Sequence, residues 1–234
     1  HLYIYFIQKK APALLLSWKI MVLFILLLPP LLVFLIRGGL QQIPINQSDA
    51  YFSEHFVLNA AAVNSTWNLG QSIDQNQKYL KENPYTYFNN DIANEMVQAL
   101  HATKDNNAPM LFKKESPNIV LIILEGWSAD MIEQTGGLKG VAPYFNSLCD
   151  KGLLFTNCYA SGTLSDQGIV ALLSGFPAQP TTRIIRQPDK FVKLPCINEK
   201  IIQKDYHTSF YFGGQLTYGN IKGYLYYNKF KQEE

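Results

Sequence analysis

Six apolar residues in a row, Ile119 to Leu124, run directly into an acid, Glu125. A short, continuous apolar run rich in β-branched residues predicts a strand buried on both faces, the kind found in parallel α/β sheets. Open α/β sheets gather ligands at the carboxyl ends of such strands. Glu125, the first charged residue after the run, marks that edge. Further on, Gly162-Thr163-Leu164-Ser165-Asp166-Gln167-Gly168 sets two hydroxyls in a glycine-flanked turn ahead of the apolar segment Ile169 to Leu173. A carboxylate at a strand end and a hydroxyl at a turn-to-helix junction suit a metal-assisted nucleophile.

The surrounding segments fit the same plan. Ser128 to Gln134 can form a short helix, and Ala142 to Leu148 predicts another, with Pro143 in its first turn. Leu153 to Ala160 reads as a strand, Gln167 to about Leu173 as a helix, Asn198 to Gln203 as a helix, and Thr208 to Phe212 as a strand. Strands alternating with helices predict an α/β domain over residues 117–234, with a parallel sheet flanked by helices.

The first half of the chain has a different character. Leu14 to Ile36 is nearly unbroken apolar sequence, interrupted by Ser17, Lys19 and the pair Pro29-Pro30. Its length meets the roughly 20 residues needed to cross a bilayer. Proline is tolerated in membrane helices, so the pair predicts a kink or break within a span. The length and the lack of a prompt small-x-small site disfavour a cleaved signal peptide. Lys9, Lys10 and Lys19 lie on the N-terminal side of the run and Arg37 alone at its exit, which places the amino end in the cytoplasm and everything after residue 40 outside. The apolar-aromatic run Leu2 to Ile7 reads as the tail of an earlier membrane helix followed by a short cytoplasmic turn, or else as a disordered N-terminal extension. Residues 1–40 are thus expected to form a membrane segment with a cytoplasmic flank, and 41–116 an extracytoplasmic connector. In that connector, Ala50 to Asn68 fits a helix near the bilayer surface, Asp91 to His101 a short amphipathic helix, and Lys104 to Asn107 a polar linker.

Composition narrows the classes. A net charge of +2, without a dense Lys/Arg run, argues against nucleic-acid binding. Cys149, Cys158 and Cys196 show no CxxC spacing and no clustered histidines, which argues against zinc. Tyr and Phe, 14 of each, fit a packed body rather than disorder. A first residue other than Met and a last segment without a closing element suggest an N-terminal fragment of a longer protein.

Asn118 to Glu125, Ala142 to Leu148, Gly152 to Asn157, Tyr159 to Gly168 and Leu173 to Pro177, in this order, resemble the lipoteichoic acid synthase family. That family lies within the alkaline phosphatase/sulfatase-like superfamily. The resemblance implies a membrane-anchored enzyme of the bacterial cell membrane, with an alkaline-phosphatase-like catalytic domain on the outer side. It also implies a divalent cation, Mn or Mg, and transfer of glycerol phosphate from a phosphatidylglycerol-like lipid through a covalent intermediate on a hydroxyl residue. Carried over, Glu125 matches the metal-ligand glutamate. Ser165 takes the place of the nucleophile, usually threonine, and with it a place at the metal; Thr163 is the alternative. Gly214, Asn220 and Lys222 fall where family members place substrate-binding side chains, though the family's tryptophan and arginine have no clear counterparts. The family's Asp-His metal pair and further histidine lie downstream of residue 234, and His207 matches none of them. This chain by itself is therefore expected to be inactive, or to bind lipid headgroups without turnover. A phosphoethanolamine transferase or phosphodiesterase uses the same metal logic. A true sulfatase needs a C/S-x-P-x-R sequence, which neither Ser165 nor Cys158 provides.

Overall fold

The computed structural model describes residues 17–77, 86–102 and 116–233. In chain order the helices are α1 (Trp18–Arg37), α2 (Phe56–Ala62), α3 (Ser65–Asn76), α4 (Asn90–His101), α5 (Pro143–Cys149), α6 (Ser165–Ser174), α7 (Pro188–Phe191), α8 (Ile197–Ile202) and α9 (Ile221–Tyr227). Strand β1 (Ser209–Tyr211) precedes α9, and β2 (Lys231–Glu233) follows it. The chain divides into two compact units, His1–Ser72 with Ile202–Glu234, and Ile73–Ile201.

Every described side chain of α1 from Trp18 to Ile36 is exposed, and the helix is long and apolar enough to cross a membrane. Pro29 and Pro30 lie inside it without breaking it, although each removes one backbone donor. The helix stops at Gly38, whose φ of 86° supplies the left-handed turn that a terminal glycine takes most readily. The Gly38 and Gly39 N–H groups then cap the carbonyls of Leu35 and Phe34. The Leu2 to Ile7 run, the flanking lysines Lys9 and Lys10, and the Lys104 to Asn107 linker lie outside the described residues.

In the first unit, the stripe Ile221, Tyr224 and Leu225 on α9 is wholly buried, as the i, i+3, i+4 spacing requires. Ser48, in the 3-10 turn Gln47–Ala50, donates its hydroxyl to Asn220 Oδ1, and the buried Tyr51 ring lies against Gly223. Asn64 accepts from the Trp67 N–H at 3.0 Å, so the sequence Asn64-Ser65-Thr66 begins α3 with a side-chain cap. In the second unit, Ile169, Val170 and Leu173 of α6 are buried, as are Ile185, Phe191 and Cys196.

The expected strands are only partly present. Thr208 to Phe212 contributes β1, which pairs in parallel with β2, Ser209 opposite Lys231. This two-stranded sheet is the one found among the described residues. Neither Ile119 to Leu124 nor Leu153 to Ala160 is a strand. Val120 is 84% exposed, not buried on both faces. A strand needs a neighbouring backbone to take its N–H and C=O groups. Among the described residues no strand is paired with either segment, so an apolar run that predicts burial stays open. The expected helix over Ser128 to Gln134 is two 3-10 turns, Ala129–Met131 and Glu133–Thr135. The expected Ala50 to Asn68 helix is α2 and the start of α3, separated by Val63 and Asn64.

Candidate active site

The turn before α6 brings the two best-supported sequence candidates together. Ser165 is the first residue of α6, and the residue that caps the helix is Leu164, in an extended conformation without a side-chain cap. The Ser165 hydroxyl is therefore not used to close the helix. It donates instead to Glu125 Oε1 at 3.1 Å, across 40 residues of chain. Glu125 stands in a turn with Gly126, whose φ is 69°. The carboxylate is exposed and Ser165 is half-buried, so the pair is open to a ligand. Thr163, the alternative nucleophile, is exposed.

Three contacts hold the hydroxyl turn in place. A Cβ on Gly162 would lie 2.7 Å from Ala178 Cβ, so only glycine lets the turn approach the following loop this closely. Gln167 Nε2 donates to the Gln179 carbonyl at 2.9 Å in the same loop. Asp166, wholly buried, meets Arg183 Nη1 at 3.1 Å and Arg186 Nη2 at 3.4 Å, both through Oδ2. A buried carboxylate needs such partners to offset its lost hydration. Its Oδ1 has no hydrogen-bond partner among the described residues. The Asp166–arginine cluster was not foreseen from sequence. A signal existed: Asp166, Ile169, Val170 and Leu173 share one helical stripe, which turns Asp166 inward and demands a cationic partner.

Two residues after Glu125 in the sequence, Trp127 packs on Phe145 of α5 with ring centroids 5.4 Å apart. Gly214, Asn220 and Lys222 belong to the other compact unit. There Asn220 is buried against Ser48, Lys222 Nζ stands 5.9 Å from the centre of the Tyr226 ring, and Gly214 adjoins the Phe212 ring.

Glu125 and Ser165 together offer two oxygen donors. Hard cations such as Mg bind through one or two carboxylates, with water and substrate oxygens completing the shell, so this pair fits part of such a site. Among the described residues no group of three or more His, Cys, Asp or Glu is gathered for a metal.

No solved structure matches the chain. Residues 117–232 match the sulfatase family model, a span that contains Glu125, Ser165 and the Asp166 cluster. Enzymes of that superfamily are hydrolases and transferases that typically use a divalent metal, and their fold is alkaline-phosphatase-like α/β. The segment from 117 to 232 is thus a sulfatase-family domain of the alkaline phosphatase/sulfatase-like superfamily.

Proposed function

We propose that the protein is a membrane-anchored phosphotransferase resembling lipoteichoic acid synthase, and that Ser165 is its nucleophile. The observation that carries this reading is the 3.1 Å hydrogen bond from Ser165 Oγ to Glu125 at the amino end of α6. A divalent cation, Mn or Mg, held by Glu125 and Ser165 Oγ, would supply the positive charge that makes a hydroxyl nucleophilic near neutral pH. Glu125 orients the Ser165 oxygen. The amino end of α6, with its unsatisfied N–H groups, favours an anionic phosphoryl group beside it.

The reaction has two halves. Ser165 Oγ bonds to the phosphorus of a phosphatidylglycerol-like lipid, the bond from phosphorus to the diacylglycerol oxygen breaks, and the serine proton leaves with diacylglycerol. An acceptor hydroxyl then attacks phosphorus, takes the glycerol phosphate and returns a proton to Ser165. The aromatic pair Trp127–Phe145, whose tryptophan follows Glu125 by two residues, would offer an apolar face to the lipid.

The test uses full-length protein in detergent with Mn and phosphatidylglycerol. It should release diacylglycerol and carry a glycerol-phosphate adduct on the Ser165 peptide. Ser165→Ala and Glu125→Ala should each lower release by roughly a thousandfold or more, as losing a group that acts in a catalytic unit does. Thr163→Ala should retain it. Loss with Thr163→Ala but not Ser165→Ala would move the nucleophile two residues back. Consumption of phosphatidylethanolamine instead would favour the phosphoethanolamine transferase.

A further inference from the structure

The last turns of α1 border a cavity of about 880 Å³ that the proposed reaction does not use. Val33 and Ile36 of α1, Ile45 of the exit loop, and Trp67 and Gly70 of α3 line it together with Arg37. All six belong to one compact unit. The exit loop folds back on the helix, with the Ile45 N–H donating to the Arg37 carbonyl at 3.0 Å. Arg37 Nη2 donates to the Gln41 carbonyl at 2.8 Å, which fixes the guanidinium at the end of α1. The site is an open cleft rather than a closed cavity, and its size lies within the roughly 300–1,000 Å³ of ligand pockets.

Gly70 is the informative residue. Glycine is among the least favourable residues inside a helix, yet Gly70 lies within α3. Its φ is not in the left-handed region, and a Cβ there would meet no protein atom within 4 Å. Neither a turn nor a close protein contact asks for glycine, so the room it leaves is open space in the cavity wall. The occupant follows from position and chemistry. Val33 and Ile36 are the exposed final turn of a helix built for hydrocarbon. Tryptophan and arginine are the side chains that settle where hydrocarbon meets headgroups. The cavity is apolar at Val33, Ile36, Ile45 and Trp67 and carries one positive charge.

We propose that this cavity holds one acyl chain of an anionic membrane phospholipid whose phosphate lies on Arg37. The inference rests on the reading of α1 as a membrane span, and the test separates the two. The sequence has three tryptophans. Chains keeping only Trp18 (W67F with W127F) or only Trp67 (W18F with W127F) are reconstituted in phosphatidylcholine vesicles. The vesicles contain a minor fraction of either phosphatidylglycerol or phosphatidylcholine brominated on the acyl chain, and fluorescence quenching is read.

Trp18 should be quenched by both lipids, which tests the span alone. Trp67 should be quenched by the brominated phosphatidylglycerol with about fivefold preference over brominated phosphatidylcholine, the advantage expected of one arginine near an anionic headgroup. Arg37→Gln should remove the preference. Gly70→Leu should abolish Trp67 quenching, whereas Gly70→Ala, which favours the helix and takes little room, should keep it. Quenching of Trp67 that persists in Gly70→Leu places the ring on the open bilayer surface and overturns the cavity assignment. An unquenched Trp67 beside a quenched Trp18 overturns it as well, leaving water or a second chain as the occupant. Equal quenching by the two lipids overturns the assignment of phosphate to Arg37. Failure to quench Trp18 removes the span reading and the inference with it.

Discussion

Asp166 shows how one residue can fix the position of its neighbour. Its carboxylate is wholly buried, while the side chains of Arg183 and Arg186 remain 31% and 40% exposed. The asymmetry decides what each substitution does. Removing one arginine leaves the other, and Arg183→Ala or Arg186→Ala alone should cost about 1 kcal/mol, the scale of a half-solvated pair. Removing both leaves a buried charge without a partner, which costs roughly 3–5 kcal/mol. Urea unfolding should therefore show a double mutant less stable than the sum of the singles. An additive result would mean that water already reaches Asp166. Because Ser165 directly precedes Asp166, the double mutant should also loosen the Ser165–Glu125 hydrogen bond.

At the scale of elements, α9 and the turn Gln47–Ala50 make a local core that sequence periodicity alone does not announce. A Cβ on Gly223 would overlap the Tyr51 ring. Gly223→Ala should accordingly destabilise by about 1–3 kcal/mol, as overpacking does, even though alanine is the better helix former. Chemical denaturation measures this, and unchanged stability would show that the ring can swing aside. Burial also raises the Tyr51 phenol from its usual 10.0 to about 12. The neutral form is the one the fold prefers, so its contribution is fully present below pH 10 and is lost as pH rises toward 12. Unfolding midpoints over that window should fall more steeply for the wild type than for Tyr51→Phe. Helices α4, α5, α6 and α8 lie within a few residues of where apolar spacing put them, because a helix satisfies its own backbone and needs only one apolar stripe. The segments 119–124 and 153–160 are not strands, because strand formation depends on a partner that a local pattern cannot supply.

For the whole molecule, the feature to test is α1, a helix long and apolar enough to cross a membrane. If it spans a bilayer, the chain should stay with membranes through an alkaline carbonate wash and dissolve only in detergent. Leu26→Arg with Leu28→Arg, near the helix centre, should release it, since each arginine costs roughly 2.5–3.5 kcal/mol on insertion. Retention of that variant would assign membrane binding to another part of the chain. The sequence by itself determined the apolar length of α1, the helix that follows the hydroxyl turn, and the pairing of acid and hydroxyl as the chemistry to look for. Those features are local, or belong to residue types whose chemistry is their own. Tertiary structure alone decided that Ser165 Oγ turns to Glu125 rather than to its own helix, that two arginines close on Asp166, and that Gly70 faces open space rather than a neighbour. Each depends on which distant side chain arrives beside it, and the spacing of residues along a chain does not carry that information.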